Sequence, residues 1–497
     1  MMGVTALQMK RVTALFLAAL TAASLLGACG AKGTDSSQIS SGQRESSQTI
    51  LDNSGLSSQQ ADESAPAAAS SINHSQSNTS HQGSSSQQHS SSGSAQQTPS
   101  AASNVTSSEK PAAEVIQPVL TENAKSLGIT QEMLNRAMVS AGNQVRIANA
   151  LRKAKRGAPV TIGVIGGSIS QGAGASAESK RYVNLVAKWW EDTFPNSEIT
   201  LVNAAIGSTD SVIGVHRLEQ DLLQYDPDFV IVEFAANDSV GDQWDMAYEA
   251  ILRRTLQSKN QPGILMMFMM YSDGKTQQKS EIPLGRRYGI PMVSYHDAIM
   301  PEVQSGAIKW SDLSPDIVHP NDRGMAIAAE LITAYLASVN RRLNDIGYKA
   351  PALPDGYTED YFAQFDNAKL LHSGNFQPTA LGSFKKDFGV LKPHYPLLED
   401  AWTSTGGTSP LVFENVEGSQ IYLLYRKSNE ADAGEMKVTI DGTVVKTINT
   451  KYDGGVFAPY EALVLDSESK KHRVEISLSS GSGTKVSILG LMVSSGA

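Results

Sequence analysis

VTIGVIGGSISQGAGAS, residues 160–176, changes character at its centre. Val160 to Gly166 is an uncharged run rich in β-branched residues, the signature of a strand buried on both faces. Strands of that kind belong to parallel sheets covered by helices on either side. Gly166 and Gly167 then break the run and leave Ser168 at the carboxyl end of the strand. Open parallel sheets collect their reactive groups at that end. Whether Ser168 is a nucleophile or one more serine in a glycine-rich turn depends on what the other strand ends deliver.

Outward from this stretch the chain keeps alternating. Gln117 to Arg156 reads as helical, closed by Gly157 and Pro159. Downstream, YVNLVAKWWEDTF is an amphipathic helix, ITLVNAA a strand, GVHRLEQDLLQY a helix and FVIVEFA a strand. MAYEAILRRTLQSK (helix), GILMMFMM and PMVSY (strands) and GMAIAAELITAYLASVNRRL (helix) complete the series. An α/β domain with a parallel sheet covered by helices on both faces is therefore expected over 114–345. From about Phe365 the pattern shifts to alternating segments such as SQIYLLYR, MKVTI, TVVKTI, EALVLD, HRVEISL and KVSILGLMV. Asp441-Gly442 between two of them is a two-residue hairpin signal. An antiparallel β-sandwich of the jelly-roll kind is expected over 365–497.

The beginning of the chain is not domain-like. Lys10 and Arg11 precede an apolar run of about fifteen residues, short for a membrane span and suited to a secretory leader. It meets Leu26-Gly-Ala-Cys29, which resembles the lipobox of bacterial lipoproteins and implies cleavage of residues 1–28 and lipidation of Cys29. Several acyl chains hold a protein stably, since each buried methylene adds ~0.8 kcal/mol. Cys29 is the single cysteine of the 497-residue chain, so disulfides, thiolate clusters and a thiol nucleophile are excluded from the folded part. Residues 29–113 are dominated by Ser, Gln, Ala, Asn and Gly, a composition that cannot repay the entropy of ordering. As a coil of about 80 residues they span roughly 50 Å, and fully extended about 270 Å, enough to reach through a cell wall. The expected location is the outer face of a bacterial cell membrane. The net charge of −9 becomes −11 without the leader's two basic residues. With no basic stripe, a nucleic-acid partner is not expected.

GAGASA, Gly172 to Ala177, fits the G-x-G-x-x-G/A dinucleotide pattern. Its glycines come too late for the first turn after the strand, and the acidic residues about 20 positions on sit inside a helix. No phosphate-binding Gly-Lys-Ser/Thr follows either. The strand ends deliver a different set, Gly166-Gly167-Ser168, then Gly207, then Asn237 in EFAANDS, and Asp316 and His319 in SPDIVHPNDRG come directly before the last helix. Those are a hydroxyl, an imidazole, a carboxylate to fix its tautomer, and donors for a developing oxyanion. Pro320 keeps His319 out of helical geometry, and glycine at 207 lets the backbone approach an oxyanion. Singly, each residue also has a structural reading: Ser168 as a helix cap, Asn237 as a turn former, Asp316 as a cap or partner of Arg323. A rival pair, His296-Asp297, is expected to diverge as neighbours on a continuing strand. Ser170, Asp238 and the i,i+4 pair Arg217–Asp221 read as structural.

In these blocks the sequence resembles the SGNH (GDSL-type) hydrolases, over about residues 143–336. Gly166-Gly167-Ser168 matches their first block, Gly207 the second, Asn237 the third, and Asp316-x-x-His319-Pro320 the last. The resemblance implies a flavodoxin-like parallel sheet flanked by helices and a Ser168–His319–Asp316 triad. It also implies an oxyanion hole from the Ser168 and Gly207 backbone N–H groups and the Asn237 amide. No metal or cofactor is implied. Ala235 stands where the family prefers glycine, and Ser208 where a second glycine often follows Gly207. The expected activity is that of an extracellular, membrane-anchored serine esterase removing O-acyl, in particular O-acetyl, groups from carbohydrate. A glycan-binding lipoprotein with a decayed site, and a lipase or lysophospholipase, remain alternatives. Trp402, Tyr422 and Tyr460 are open between sugar stacking and ordinary packing. The acyl group, the glycan and the oligomeric state are not legible.

Overall fold

The computed structural model describes residues 117–391, 395, 397–479 and 482–496. The leader and tether expected from the sequence, with Cys29, lie outside the described residues. In chain order the α/β part begins with α1 (Glu122–Ser126), α2 (Gln131–Ala137), β1 (Met138–Ser140), α3 (Val145–Lys155) and β2 (Val160–Gly166). It continues with α4 (Ser168–Gln171), α5 (Tyr182–Thr193), β3 (Ile199–Asn203), α6 (Ser211–Asp221), β4 (Phe229–Glu233), α7 (Asp242–Gln257) and β5 (Gly263–Phe268). It closes with α8 (Gln278–Arg287), β6 (Met292–Ser294), α9 (Tyr295–Gln304) and α10 (Asp322–Arg341). Among the described residues these strands form a six-stranded sheet in the order β1-β6-β5-β4-β2-β3. All of its pairs are parallel except the edge pair β1–β6. β2, β4 and β5 are central and almost wholly buried, which is why they read as unbroken apolar runs.

The expected helical stretch Gln117–Arg156 is interrupted by β1, a three-residue edge strand too short to leave a periodic trace. Two helices escaped the pattern, α8 and α9. Each contains a proline, Pro283 and Pro301, and proline normally argues against a helix interior.

The C-terminal part is an antiparallel eight-stranded sheet, ordered β12-β11-β13-β10-β14-β9-β8, with β7 (Lys369–Leu371) also paired to β14. Its shorter strands are β8 (Lys385–Phe388), β9 (Asp400–Gly406), β11 (Glu435–Ile440) and β12 (Thr443–Asn449). β10 (Leu411–Tyr425), β13 (Tyr460–Leu478) and β14 (Ser482–Ser494) are much longer than the segments expected, and EALVLD and HRVEISL are two ends of the one strand β13. Asp441 (φ 50°) and Gly442 (φ 83°) close the β11–β12 hairpin in the left-handed conformation its two-residue turn requires.

Alternation along β10 has two buried faces. Ile421, Leu423 and Tyr425 point into the C-terminal part's own core with Trp402, Phe413 and Ile488. Tyr422 and Leu424 point the other way, into one continuous cluster with Val212, Val215, Phe234, Tyr248 and Leu252 of the α/β part. The two sheets thus belong to one compact unit and share a hydrophobic core.

Candidate active site

Ser168 opens the one-turn helix α4, directly after β2, with Gly167 extended before it. His319 Nε2 lies 2.9 Å from Ser168 Oγ, and His319 Nδ1 lies 2.8 Å from Asp316 Oδ2. The other Asp316 oxygen accepts the backbone N–H groups of Val318 and His319, each at 2.7 Å. Burial alone would raise the Asp316 pKa; those N–H groups and the imidazole outweigh it and hold the carboxyl below its ordinary value. An ionised carboxylate on Nδ1 fixes the tautomer that leaves Nε2 free to accept the serine proton.

The histidine loop is clamped from three sides. Ser314 Oγ donates to the His319 carbonyl at 2.6 Å, and Trp310 Nε1 to the Asp316 carbonyl at 2.6 Å. Asn321 then caps α10 through the N–H groups of Arg323 and Gly324. From the quoted stretch, Ser176 donates through N–H and Oγ to Asp322 at 2.8 and 2.6 Å. Gly174, at φ 91°, passes so close to this loop that a Cβ there would fall 2.4 Å from the Pro320 carbonyl oxygen. This contact explains Gly174 of the dinucleotide-like stretch, and Gly172 is the left-handed C-cap of α4, at φ 104°.

Gly167 is a place of close approach as well. A Cβ there would lie 2.2 Å from Asn237 Oδ1, so the Asn237 amide is packed against the backbone beside Ser168. Ala235 is buried and is not among the residues of left-handed φ, so the turn of the third block forms without glycine at that position. Ser208 is left-handed, at φ 56°, where the family's second glycine would be unstrained. The Gly207 N–H reaches the site, but donates at 2.8 Å to Gln171 Oε1. A substrate oxygen using that donor therefore has to displace the Gln171 amide. Gln171 was not singled out from the sequence, though its position one turn after Ser168 on α4 puts both on one helix face.

Close to Ser168 lies Glu233, wholly buried at the end of β4. Its Oε2 accepts from Ser170 Oγ at 2.8 Å, and Ser170 Oγ is 2.6 Å from the Tyr182 hydroxyl. Burial pushes Glu233 up to about 8, against the Ser170 hydroxyl and Gly167 N–H that favour its charged form. Asp238 accepts the Ser211 N–H at 2.8 Å and so ties the third block to α6. Arg217 bonds Asp221 at 3.2 Å and also reaches the Ala204 carbonyl, a buried brace rather than a solvated pair.

The divergence expected for His296 and Asp297 is corrected. β6 ends at Ser294, both residues enter the first turn of α9, and His296 Nδ1 lies 2.8 Å from Asp297 Oδ1. The Nε2 of this dyad lies near the backbone of Gly274. Trp402 and Tyr422 are core residues, 0% and 2% exposed, which removes them from sugar stacking. Tyr460 is half-buried and donates to Asp210 Oδ2 at 2.8 Å. Among the described residues no cluster of His, Cys, Asp and Glu could hold a metal ion.

The GDSL-like lipase/acylhydrolase family model matches residues 164–327. Thioesterase 1/protease 1/lysophospholipase L1 of Escherichia coli (strain K12) is 27% identical over 184 residues, 35% of this chain and 83% of its own. The crystal structure of a two-domain esterase (CEX) active on acetylated mannans superposes with a TM-score of 0.68 at 28% identity. It covers 73% of this chain and 99% of that one. The same esterase co-crystallised with mannopentaose gives 0.67 at 28%, over 73% and 98%.

Proposed function

We propose that this chain, a carboxylic ester hydrolase whose residues 164–327 form a GDSL-like lipase/acylhydrolase domain, removes O-acetyl groups from mannan-type polysaccharide while tethered by a lipid on Cys29. The reading is carried by the unbroken hydrogen-bonded series Ser168 Oγ, His319, Asp316. In the first half-reaction Ser168 Oγ attacks the ester carbonyl while His319 Nε2 takes its proton. The oxyanion draws on the backbone N–H groups of Ser168 and Gly207 and the Asn237 amide. Collapse breaks the bond to the sugar oxygen, which leaves with the proton from His319. Water then attacks the acetyl-serine with the same histidine as base, releasing acetate and restoring Ser168. Asp316 stabilises the imidazolium in both halves and stays ionised.

The carbohydrate assignment draws on the likeness to the acetylated-mannan esterase, which extends over nearly all of that two-domain chain rather than its hydrolase part alone. The anchor draws on Leu26-Gly-Ala-Cys29 and the tether behind it. The test is release of acetate from acetylated mannan and acetylated xylan, and of fatty acid from a lysophospholipid. Acetate from mannan, lost in S168A, is the expected result. Preferential cleavage of the lysophospholipid would replace this reading with the lipase one. Partition of the mature protein into detergent, abolished in C29A, tests the anchor.

A further inference from the structure

The turn Gly207–Asp210 joins β3 to α6, and residues from the distant C-terminal sheet hold its far end. Asp210 caps α6 by accepting the Ile213 N–H on Oδ1 at 3.0 Å. Its Oδ2 accepts two further bonds, from Trp244 Nε1 at 2.9 Å and from the Tyr460 hydroxyl at 2.8 Å. Trp244 stands in the first turn of α7, whereas Tyr460 is the first residue of β13, 250 positions along the chain. The Tyr460 hydroxyl also accepts from Gln243 Nε2 at 3.2 Å, so its own proton is directed to Asp210. Burial raises the Asp210 carboxyl above its ordinary value, and the donors from Ile213, Trp244 and Tyr460 oppose that. A second residue of the C-terminal part reaches the same turn. The Tyr395 phenol lies beside the side chain of Ser208, the residue held at φ 56°, which opposes the rise that burial gives its pKa. A non-glycine residue stays left-handed only where its surroundings over-determine it. Here a residue of the C-terminal part, in the segment between β8 and β9, is among those surroundings.

We infer that Tyr460 is a positioning residue for the esterase reaction: bonded to Asp210, its hydroxyl holds the turn that aims the Gly207 N–H at the reacting oxygen. This rests on the proposed oxyanion role of Gly207. A donor stabilises an oxyanion only when fixed at hydrogen-bond distance from where the charge develops. A turn freed at Asp210 leaves Gly207 poorly aimed without removing it. The effect therefore falls on the chemical step and not on substrate binding.

The experiment compares wild type, Y460F, D210N and Y460F/D210N with p-nitrophenyl acetate, a substrate too small to touch a sugar subsite. Melting temperatures and inhibition by methylboronic acid, which forms a tetrahedral oxyanion on serine, are measured alongside. The expected result is a kcat about ten- to hundredfold lower in Y460F, below the loss typical of deleting a whole donor. KM stays within twofold, boronate affinity weakens in step with kcat, and melting is little changed. The Y460F effect disappears in the D210N background, because both act through one bond. Unchanged kcat in Y460F, or independent additive effects in the double variant, overturns the inference. Should Y460F not fold, D210N carries the test on the same readouts, and unaltered kcat and boronate affinity there overturn it. S168A and N237A separate the two levels. Full activity in S168A would overturn the nucleophile reading and full activity in N237A the oxyanion reading; if both lose activity while Y460F does not, only the role of Tyr460 fails.

Discussion

At the scale of single residues, the site depends on two nitrogens of one imidazole having different neighbours. D316N keeps the shape and removes the charge that orients His319. It is expected to lower kcat by about 10²–10⁴ with KM nearly unchanged, as steady-state kinetics on p-nitrophenyl acetate will read. Gln171 predicts the opposite sign. Its side chain occupies the Gly207 N–H at 2.8 Å, and a neutral hydrogen bond is worth about 0.5–1.5 kcal/mol net. Q171A therefore raises kcat/KM by about two- to tenfold if the amide only blocks the donor; a fall would make Gln171 part of the machinery. Ser168, Gly207 and Asn237 were legible because each follows a strand beside a turn residue, Asp316 and His319 because they stand together in a proline-marked loop directly before α10. Gln171, Glu233 and Tyr460 were not, because a polar side chain in a sequence does not disclose which backbone group or buried partner it meets.

Among the elements, the loop from α4 to α5 does more than connect. Gly174 is left-handed and in contact with the backbone that carries His319, so G174A has to push that backbone away. A side chain in such a conformation costs about 1–3 kcal/mol, and the G174A variant is expected to lose at least tenfold in kcat and to melt earlier. Helix α6 makes a different prediction. His216, buried with its ring 5.4 Å from Phe365 and 6.0 Å from Tyr422, is pushed down to about 3. Burial is the main cause; the Val212 carbonyl opposes it and the Arg254 charge adds to it. The unfolded chain takes up this proton near 6.5 and the folded one does not. His216's contribution is thus complete above about pH 6.5 and lost by about 1.4 kcal/mol per unit as the pH falls towards 3. Comparing melting at pH 7 and pH 5, H216Q should lose less on acidification than wild type; an equal loss would contradict this. The central strands and long helices were legible from period and composition. β1 was too short to be, α8 and α9 were hidden by their prolines, and the full length of β13 was hidden by the charged stretch between its ends.

Over the whole molecule, the second sheet is part of the first one's packing. Tyr422, Leu424, Leu489 and Met492 share a cluster with Val212, Phe234 and Tyr248, and Tyr460 and Tyr395 reach the Gly207–Asp210 turn. The sequence announces two architectures, yet alternation along β10 cannot reveal that both faces are buried, since apolar residues on the second face look like any other core. A chain ending at residue 345 should therefore expose this cluster, bind hydrophobic dye and lose activity, while the whole protein unfolds in a single transition. A truncated chain that folds and retains full turnover would contradict the shared core. The central claim is tested most directly on the nucleophile. Wild type and S168A, shown equally folded by circular dichroism, are mixed with p-nitrophenyl acetate, and both turnover and acetylated peptides are followed. The account predicts turnover by wild type alone, with a trapped acetyl group on the peptide bearing Ser168. Equal hydrolysis by S168A, or acetylation elsewhere in the chain, would contradict it.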